Sequence, residues 1–454
     1  MRVFAIAVLL CAGCAAHDAG ATASFFLATF SADVTPPVGH ALCGGMVAPA
    51  ARISDPLSGR GLILWGGGEP IVIAALDWTE LRNDAYERWR SELAKAAGTS
   101  PRRVLLSCVH QHDAPYADLE AQRLLDGQGL KGFHVDPEFH ERAVQAVAAA
   151  AREAARAPRR ITHVGTGQAE VDRVASNRRV VVNGKATFKR YSKTADPAIK
   201  NAPEGLIDPR LKTLSFWDGD RPVAAVSSYA VHPMSYYGGG AVSADFPGLA
   251  RARRQRETPD VFQIYLSGCA GDVTAARYNN GDDVSRQALA GRLVDALERA
   301  WKQSRRAPLE RIETRIAEVR FDLPPEGPAS PPVMEKTLAD PASSKSQRLM
   351  AALGSSWAKR VARGEPVDVA SIDFGPAQFL LLPAESFVEF QLAAQRVRPG
   401  GFVVVAGYGE CGPGYIPTEA ARAEGYVEEH GYCWVAAGAE DKLKRAIADA
   451  LTLK

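Results

Sequence analysis

Three histidines that stand at the ends of apolar runs are candidates for metal binding or catalysis. His110 and His112 stand two positions apart and directly follow the apolar run 103–109. Side chains two positions apart on an extended chain point to the same side, so both imidazoles can face one ligand. His232 follows a second apolar run, 222–231, in the same way. Each histidine alone could be an ordinary core or surface residue, but together they offer the nitrogen donors that zinc and similar metals prefer.

An acid and a phenol occupy comparable positions later in the chain. Glu385 comes just after the apolar run 379–382. A carboxylate at the end of a buried strand costs free energy unless it is paired or binds a metal. Tyr415 lies in the glycine- and proline-rich segment 407–418, which predicts a shaped loop. A structural ion pair and a packed aromatic ring are the alternative explanations for these two residues.

A turn of small residues follows a further apolar run. The segment 267–274 comes after the run 261–266 and contains glycine, alanine and serine, which let the backbone approach a ligand closely. In that case Asp272 or Thr274 would face the site. An ordinary tight turn is the alternative explanation.

Histidine, glutamate and tyrosine together form a nitrogen and oxygen donor set that suits Zn²⁺ with an open position for water. A zinc ion lowers the pKa of a bound water toward about 7, which yields hydroxide at neutral pH. Hydroxide of this kind attacks the carbonyl group of an amide or an ester. The donor set therefore predicts a metal-dependent hydrolase.

The apolar runs alternate with longer segments of helical spacing, as in α/β proteins. The predicted strands cover residues 71–75, 103–109, 222–231, 261–266, 379–382 and 402–405. The predicted helices cover residues 79–97, 137–157, 284–301 and 440–453. This order predicts an α/β fold with a large mixed β-sheet flanked by helices. Ligands of open α/β sheets bind outside the carboxyl ends of the strands, where the polar residues stand.

Two segments depart from that alternation. Residues 183–209 are rich in lysine, proline, glycine and asparagine, and we expect a loop on the substrate side. Residues 324–367 are rich in proline, serine and lysine, and we expect an inserted helical flap or a surface excursion. A single domain over 24–454 that carries this insertion is the expected organisation.

The first residues have the pattern of an export signal. Arg2 precedes an apolar run over 3–13, which is too short to span a bilayer as a helix. The Leu-Cys-Ala-Gly-Cys segment ending at Cys14 resembles a bacterial lipobox, in which Cys14 would be acylated; ordinary cleavage near 15–23 is the alternative. With residues 1–23 as the signal, we expect a periplasmic protein, an outer-membrane lipoprotein or a secreted protein. A lipid anchor or a lipid substrate would bring it to a membrane.

Composition sets the remaining limits. The 454 residues include 54 basic and 52 acidic side chains, so the net charge of +2 gives no overall electrostatic case for nucleic acid as a partner. A hydrophobic fraction of 46% and a charged fraction of 23% exclude a mostly disordered chain and a polytopic membrane protein. We expect a solvated helix face at the basic run Arg251, Arg253, Arg254 and Arg256.

The cysteines do not predict a disulfide scaffold. Two of the seven, Cys11 and Cys14, belong to the export signal, and the remainder is odd in number and sparse. Cys411 and Cys433 could bridge in an oxidising compartment, although their spacing alone does not decide it.

The segments together, in their order along the chain, resemble the N-terminal catalytic domain of the neutral/alkaline (non-lysosomal) ceramidase family. The matching motifs are Ala-Asp-Val-Thr-Pro-Pro at 32–37, His-Gln-His at 110–112, Val-His-Pro at 231–233, Ser-Ala-Asp-Phe at 243–246 and Gly-Asp-Val-Thr at 271–274. They extend from about residue 30 to about residue 430, so the resemblance covers a domain rather than one loop. The C-terminal β-sandwich domain of that family is expected to be absent.

The resemblance implies a role for each site residue. The implied ligands of Zn²⁺ are His110, His232, Glu385 and Tyr415. The residues implied beside the metal or the substrate are His112, Thr274, Arg178 and Tyr408, with Tyr426 as a further neighbour. His112 would stabilise the oxyanion or shuttle a proton, and Arg178 would contact the substrate. The implied reaction is hydrolysis of an N-acyl amide, either N-acyl-sphingosine or another N-acylated compound, by zinc-activated water.

Two positions depart from the family pattern. Thr274 stands where the family has serine, and Asp113 with Ala114 replaces its Ser-Gly pair. Asp113 could orient a histidine by accepting a hydrogen bond from it, or it could select a different substrate. A long apolar groove beside His112 would indicate ceramide, whereas a small polar pocket there would indicate a sugar or peptide amide.

Two other functions are compatible with the same sequence. One is a non-catalytic periplasmic or surface binding protein that keeps the fold, although the presence of all four implied ligands argues against it. The other is an esterase on the same metal site, because esters and amides react through similar tetrahedral oxyanions. The sequence does not indicate an oligomeric state.

Overall fold

A computed structural model describes residues 24–452 of the chain. The predicted export signal at 1–23, including the candidate lipid-anchor residue Cys14, lies outside the described residues. Within 24–452, none of the helices combines the length and the apolar character needed to cross a membrane.

Three mixed sheets carry the longer strands. The first sheet has the order Val104–Cys108, Ile71–Leu76, Ser58–Trp65, Phe25–Asp33 and Arg159–Ile161. The second sheet has the order Phe262–Ser267, Arg221–Tyr229, Arg210–Asp218, His163–Glu170 and Arg305–Pro308. The third sheet has the order Glu313–Val319, Val367–Asp373, Ala377–Leu381 and Phe402–Ala406. The predicted α/β class is confirmed, but the strands divide into three sheets instead of one large sheet.

Each of the three sheets has one parallel strand pair, which lies at an edge, and hydrogen bonds join the carboxyl ends of these pairs. Ser107 Oγ donates to the carbonyl of Gly407 at 2.8 Å, and Gly407 N donates to the carbonyl of Ser267 at 2.9 Å. Ser267 Oγ donates in turn to the carbonyl of Val109 at 2.7 Å. These bonds form a closed ring through all three sheets, so side chains that follow the six strands are brought to one junction.

Short strand pairs brace the loops around this junction. They are Glu80–Leu81 with Tyr116–Ala117, Ser176–Asn177 with Val273–Thr274, Glu385–Ser386 with Tyr415–Ile416, Arg52–Ile53 with Ala241–Val242, and Val180–Val182 with Lys185–Thr187. In each of the first three pairs, one strand belongs to a segment that has just left a sheet, and the other belongs to a loop from elsewhere in the chain. They therefore fix the loops beside the strand ends without extending a sheet.

Helices cover the outer faces of the sheets. The longer ones are Asn83–Ala97, Leu119–Asp126, Pro137–Ala154, Asp245–Glu257, Asp283–Lys302, Pro331–Ala339, Lys345–Ala362, Val388–Val397 and Ala439–Leu451. The short ones are Pro197–Asn201, Glu419–Ala423 and Tyr426–His430. Sequence signals set several of the starts: Pro137 opens its helix, and Asp136 accepts a hydrogen bond from the backbone N–H of Glu138 at 2.9 Å.

The third sheet lies between two apolar cores. Along the strand Ala377–Leu381, Phe379 and Leu381 pack into one core, and Leu380 packs into the other. Alternate side chains of a strand point to opposite faces, so both faces of this sheet are buried. The strand that leads to Glu385 is therefore held rigidly from both sides.

The segment expected to be an insertion contains two packed helices. It connects the antiparallel strands Glu313–Val319 and Val367–Asp373 and carries the helices Pro331–Ala339 and Lys345–Ala362. Ser356 Oγ donates to Asp118 Oδ1 at 2.8 Å, which ties the second helix to the body of the fold.

The basic run on the helix Asp245–Glu257 differs from the expectation of a fully solvated face. Arg251 is buried and pairs with Asp77, at 2.6 Å from Nη1 to Oδ1 and 2.7 Å from Nη2 to Oδ2. Arg254 is also buried, whereas Arg253 and Arg256 are exposed. Residues three apart share a helix face, so the run divides into an inward pair and an outward pair. Burial alone would raise the pKa of Asp77, but the Arg251 guanidinium holds it below its usual value.

The cysteines between residues 24 and 452 are all free thiols. Cys411 Sγ lies 3.2 Å from the carbonyl of Gly409, and Cys433 Sγ lies 3.8 Å from the carbonyl of Val435. The disulfide considered between Cys411 and Cys433 is therefore not formed in this structure.

Candidate metal centre

Two imidazoles and one carboxylate converge where the three sheets meet. His110 Nε2 lies 2.9 Å from His232 Nε2, and Glu385 Oε2 lies 3.2 Å from the first and 3.4 Å from the second. All three side chains are buried. His110 follows the first sheet, His232 the second and Glu385 the third, so each sheet supplies one donor.

The hydrogen bonds of the two imidazoles determine which nitrogen carries the proton. His110 Nδ1 lies 2.8 Å from the carbonyl of Thr79, and His232 Nδ1 lies 2.8 Å from the carbonyl of Ala270. A carbonyl oxygen only accepts, so both Nδ1 atoms donate and both Nε2 atoms present lone pairs. Burial and the charge of Arg178 lower the pKa of His232 well below its usual value, which keeps its imidazole neutral.

The three converging atoms lack a donor of their own within residues 24–452. Two Nε2 lone pairs face each other across 2.9 Å, and Glu385 Oε2 is buried without a hydrogen-bond partner. Unsatisfied buried acceptors this close repel one another unless a cation lies among them. Imidazole nitrogens with fixed Nδ1–H groups and a carboxylate oxygen are the donors of a typical metal site, so this cluster could hold a metal ion.

His112 joins the same cluster from the side that faces solvent. Nitrogen atoms of His110, His112 and His232 all lie within 4.8 Å of one another. His112 is 7% exposed, against 1% for His110 and 0% for His232, and its ring lies 5.7 Å from that of the exposed Tyr237. Burial lowers the pKa of His112 well below its usual value, with a further contribution from the neighbouring His110. A neutral imidazole in this position is able to accept a proton.

Tyr415 and Arg178 lie beside Glu385 at the same cluster. Glu385 and Tyr415 are register partners in their short parallel pair, which sets the phenol beside the carboxylate. Arg178 Nη1 donates to Tyr415 Oη at 2.8 Å and to the carbonyl of Gly271 at 3.2 Å. Burial raises the pKa of Tyr415 despite the Arg178 charge, so the phenol keeps its proton in the absence of a metal. Tyr426, also predicted as a neighbour, is buried with its ring 5.6 Å from that of Tyr415.

Tyr408 packs against the imidazoles. Its ring stacks on His110 with centroids 4.1 Å apart and planes 19° apart, and Tyr408 Oη lies 3.3 Å from His232 Nδ1. The backbone turns that deliver these groups are strained: His110, Ala384 and Tyr408 have φ of 76°, 59° and 56°. Non-glycine residues adopt such values rarely, and clusters of them are typical of functional sites.

Thr274 lies next to His232 in the backbone but directs its hydroxyl elsewhere. The two residues form an isolated parallel bridge, and Thr274 Oγ1 donates to the carbonyl of Tyr191 at 2.5 Å. Asp272, in the same turn, accepts hydrogen bonds from Val388 N at 2.9 Å and from Asn177 Nδ2 at 2.7 Å. Both residues therefore hold the turn beside the cluster, and a chemical role for Thr274 stays a prediction.

Asp113 does not orient either imidazole of the cluster, because carbonyl groups occupy both Nδ1 atoms. Its Oδ1 accepts a hydrogen bond from Gly238 N at 3.1 Å, and the side chain lines the cleft described below. Burial and the neighbouring Asp245 raise the pKa of Asp113 to about 6.

Glu80 is a site residue that the sequence did not indicate. Its Oε1 lies 3.9 Å from His110 Nδ1, its Oε2 accepts a hydrogen bond from Tyr432 Oη at 3.2 Å, and it forms a second cluster with His110 and Glu385. Burial and the charge of Glu385 raise the pKa of Glu80 well above its usual value. The predicted helix 79–97 concealed it, because the helix begins only at Asn83. The available signal was its position shortly after an apolar run, as for the other donors.

A cleft of about 850 Å³ opens beside His112. Tyr237 and Asp113 form the side next to the histidine, and Tyr191, Met234 and Arg286 are among the other residues of its wall. No leucine, isoleucine, valine, phenylalanine or tryptophan lines it among residues 24–452. This cleft is therefore not the long apolar groove that would indicate ceramide, and most residues of its wall are charged or carry a hydroxyl group.

Comparison with known proteins supports the same architecture. The chain matches a crystal structure of neutral ceramidase from Pseudomonas aeruginosa with a TM-score of 0.68 and 17% sequence identity, over 94% of this chain and 74% of that one. A structure of a ceramidase complexed with C2 matches with the same values. No family model and no curated protein matches the sequence. The protein therefore has a ceramidase-like fold, as the motifs indicated.

Proposed function

We propose that this protein is an exported zinc-dependent hydrolase that cleaves the amide bond of an N-acylated compound. The observation that carries the proposal is the convergence of two Nε2 lone pairs and the unpartnered Glu385 carboxylate beside an open cleft. The likeness of the fold to that of ceramidases, which are amide hydrolases by name, supports the reaction class. The export motif at 1–23 is the basis for its location outside the cytoplasm.

The donor set favours zinc among the common metals. Neutral imidazole nitrogens with a carboxylate are frequent zinc ligands, and His110, His232 and Glu385 supply them, with Tyr415 beside them as the fourth candidate. Zinc in such a site lowers the pKa of water and polarises a carbonyl group. Thr79 and Ala270 hold the two imidazoles in the tautomer that binding requires.

The remaining residues place protons and charge around the scissile bond. His112 lies behind Tyr237 of the cleft wall and has a neutral ring whose Nδ1 lacks a partner within residues 24–452, so it can accept a proton and pass it to the leaving amine. Arg178 is a buried cation whose charge acts on both Glu385 and Tyr415. That charge compensates negative charge that develops beside the phenol. Tyr408 keeps the rings of His110 and His232 in place.

The test combines metal content with activity. Purified protein is expected to carry about one zinc per chain, removable by a chelator, and to hydrolyse members of a panel of N-acyl compounds only with the metal present. His110→Ala and His232→Ala should lose metal and activity together, while the control His163→Ala, at a half-buried histidine of the second sheet, should lose neither. Full activity of metal-free protein would refute the proposal, and activity confined to esters would replace the amidase with an esterase.

A further inference from the structure

The wall of the cleft beside His112 contains several charged side chains. Arg52, Lys193 and Arg286 contribute cations, and Asp113 and Asp283 contribute acids. Arg286 is already paired with Asp55, whereas Arg52 and Lys193 form no salt bridge within residues 24–452. Two cations that face the cleft therefore have no anionic partner in the described part of the chain.

This composition is unsuited to a long alkyl chain. Each buried methylene contributes about 0.8 kcal/mol only when apolar surface replaces water around it. Covering charged side chains with hydrocarbon instead removes their hydration without replacing it. Met234 and Ala241 are the only residues of the wall with purely apolar side chains, and its three tyrosines combine an apolar ring with a hydroxyl group. A compact polar ligand fits this wall better than an N-acyl-sphingosine.

The segment that carries Lys193 is anchored to the turns next to the metal centre. The carbonyl of Tyr191 accepts from Thr274 Oγ1, and Ser192 Oγ donates to the carbonyl of Met234 at 2.7 Å. Asn279 Nδ2 donates to the carbonyl of Ser192 at 2.9 Å. Thr274 forms a backbone bridge with His232, and Met234 lies two residues after His232. The backbone at Lys193 therefore has a fixed position relative to the histidines.

The Lys193 side chain is exposed and lies against Gly281 in the wall of the cleft. A Cβ at position 281 would lie 2.5 Å from Lys193 Cδ and 2.8 Å from Nζ. The absence of a side chain at position 281 thus leaves the space that the lysine occupies along the wall.

We propose that the substrate is a compact amide that carries a carboxylate, of the class of N-acyl amino acids or small peptides, and that Lys193 binds this carboxylate. The inference rests on the proposed amidase function and adds the substrate class to it. In this proposal the segment that carries Lys193 binds the carboxylate of the substrate, and the candidate metal centre cleaves the amide bond. Arg52 is a second cation of the wall without a salt bridge among the described residues, and the acids Asp113 and Asp283 of the same wall lie within the cleft that the carboxylate would enter.

The test uses three substrates with zinc-loaded protein. An N-acyl amino acid and its carboxamide share acyl chain and scissile bond and differ only in charge, and a short-chain N-acyl-sphingosine in detergent provides the lipid. We expect kcat/KM to be highest for the carboxylate. The ratio of kcat/KM between carboxylate and carboxamide should fall as ionic strength rises, because salt screens the ion pair.

Two variants address Lys193 directly. Lys193→Gln should reduce the carboxylate-to-carboxamide ratio about 1.5-fold to fivefold, the range of an exposed ion pair. Gly281→Ala places a methyl group against Lys193 at a backbone φ of 78°, so zinc content is measured beside the ratio, which should change in the same direction. The control Lys302→Gln, at an exposed lysine that pairs with Glu298, should leave the ratio at the wild-type value.

The outcomes separate this inference from the proposed function. A best substrate of N-acyl-sphingosine, or a ratio unaltered in both cleft variants, would overturn the inference while the amidase proposal stands. Failure of zinc-loaded protein to hydrolyse any amide in a broader N-acyl panel would overturn both. A reduced ratio in both variants with normal zinc content would support the carboxylate site.

Discussion

Two regions of the molecule bury histidines, and only one of them gathers histidine lone pairs. At the candidate metal centre, His110 and His232 each donate from Nδ1 to a carbonyl, and their Nε2 atoms face each other at 2.9 Å. The carboxylate of Glu385 completes the convergence at 3.2 and 3.4 Å. Three acceptors are thus aimed at one point.

The second region lies at and before the start of the helix Pro137–Ala154. His134 Nδ1 donates to the carbonyl of Gly44 at 3.0 Å, and its Nε2 accepts from Asp118 N at 3.0 Å, so both nitrogens are used. His140 lies between Trp78 and Trp89, with ring centroids 6.0 and 6.1 Å away. Burial lowers the pKa of both histidines to about 4, so they stay neutral.

The contrast shows what distinguishes a metal site from ordinary buried histidines. Burial and a depressed pKa occur in both regions, so neither property identifies function. The decisive difference is where the remaining lone pair points: toward a backbone N–H or an aromatic wall in the scaffold, and toward other acceptors at the junction of the sheets. Substitutions that act on one region and spare the other test this distinction.

Glu385→Gln is expected to have the largest effect. It keeps the shape of the side chain but removes the negative charge that faces the two Nε2 atoms, so metal affinity and kcat/KM should each fall more than about 100-fold. Competition with a chromogenic chelator measures the affinity. Glu389→Gln is the matched control, because burial and the charge of Asp272 raise the pKa of that acid to about 8. If Glu385→Gln bound zinc as tightly as the wild type, the proposed coordination would be wrong.

His112→Gln should reduce catalysis and spare metal binding. Loss of a proton-transferring imidazole lowers kcat by about 10²- to 10⁴-fold. Zinc content should remain near one per chain, since Glu385, His110 and His232 are intact, and KM should change little. Loss of zinc in this variant would instead make His112 a ligand, which its place within the three-histidine cluster permits.

Much of the candidate metal centre could be predicted from the sequence, because apolar runs and the polar residues that end them are local signals. Apolar runs predicted the strands that lead to His110, His232 and Glu385, and their polar ends predicted a common site. The convergence of these donors depends on long-range pairing, which a single sequence does not encode in its periodicity. The ring of bonds through Ser107, Gly407 and Ser267 and the separation into three sheets therefore emerged only in the structure.

Glu80 shows most clearly what the sequence alone does not predict. Its segment has helical spacing, so local propensity predicted a helix, but pairing of Glu80–Leu81 with Tyr116–Ala117 keeps it extended. Tertiary contacts override propensity at such positions. Arg251 gives a second example, since its burial depends on Asp77, a partner 174 residues away in the sequence. In both cases the deciding partner is distant along the chain.

Glu80→Gln should have a smaller effect than changes to the three converging donors. The residue contacts the cluster through His110 and accepts a hydrogen bond from Tyr432, so it supports the site without facing both Nε2 atoms. Metal affinity should fall about 10- to 100-fold, the usual range for partners of ligands. A chelator titration at constant pH measures this change. Tyr432→Phe removes the hydrogen bond to Glu80 together with the contacts of the same hydroxyl to Arg82 and Tyr116, and its metal affinity should lie between those of Glu80→Gln and the wild type.

His140→Leu is expected to change only the response of stability to pH. The folded-state pKa of His140 is about 4, below the value of about 6.5 for an unfolded histidine, so the unfolded chain binds the extra proton first as pH falls. The stability that neutral His140 contributes is fully present above pH 6.5 and is lost as pH falls toward 4. At pH 5 the loss amounts to about 2 kcal/mol, since each pKa unit corresponds to about 1.4 kcal/mol.

Urea denaturation at pH 7.5 and pH 5 measures this contribution as a difference of differences. The free energy of unfolding of His140→Leu, relative to the wild type, should rise by about 2 kcal/mol between the two pH values, whatever its value at pH 7.5. Phe139→Leu, at the adjacent buried ring that stacks on Trp78, changes packing without removing a titrating group and should show no such rise. Zinc binding should be unaffected in both variants. An equal pH response in His140→Leu and the wild type would mean that this histidine is protonated within the fold, and the contrast between the two histidine regions would then fail.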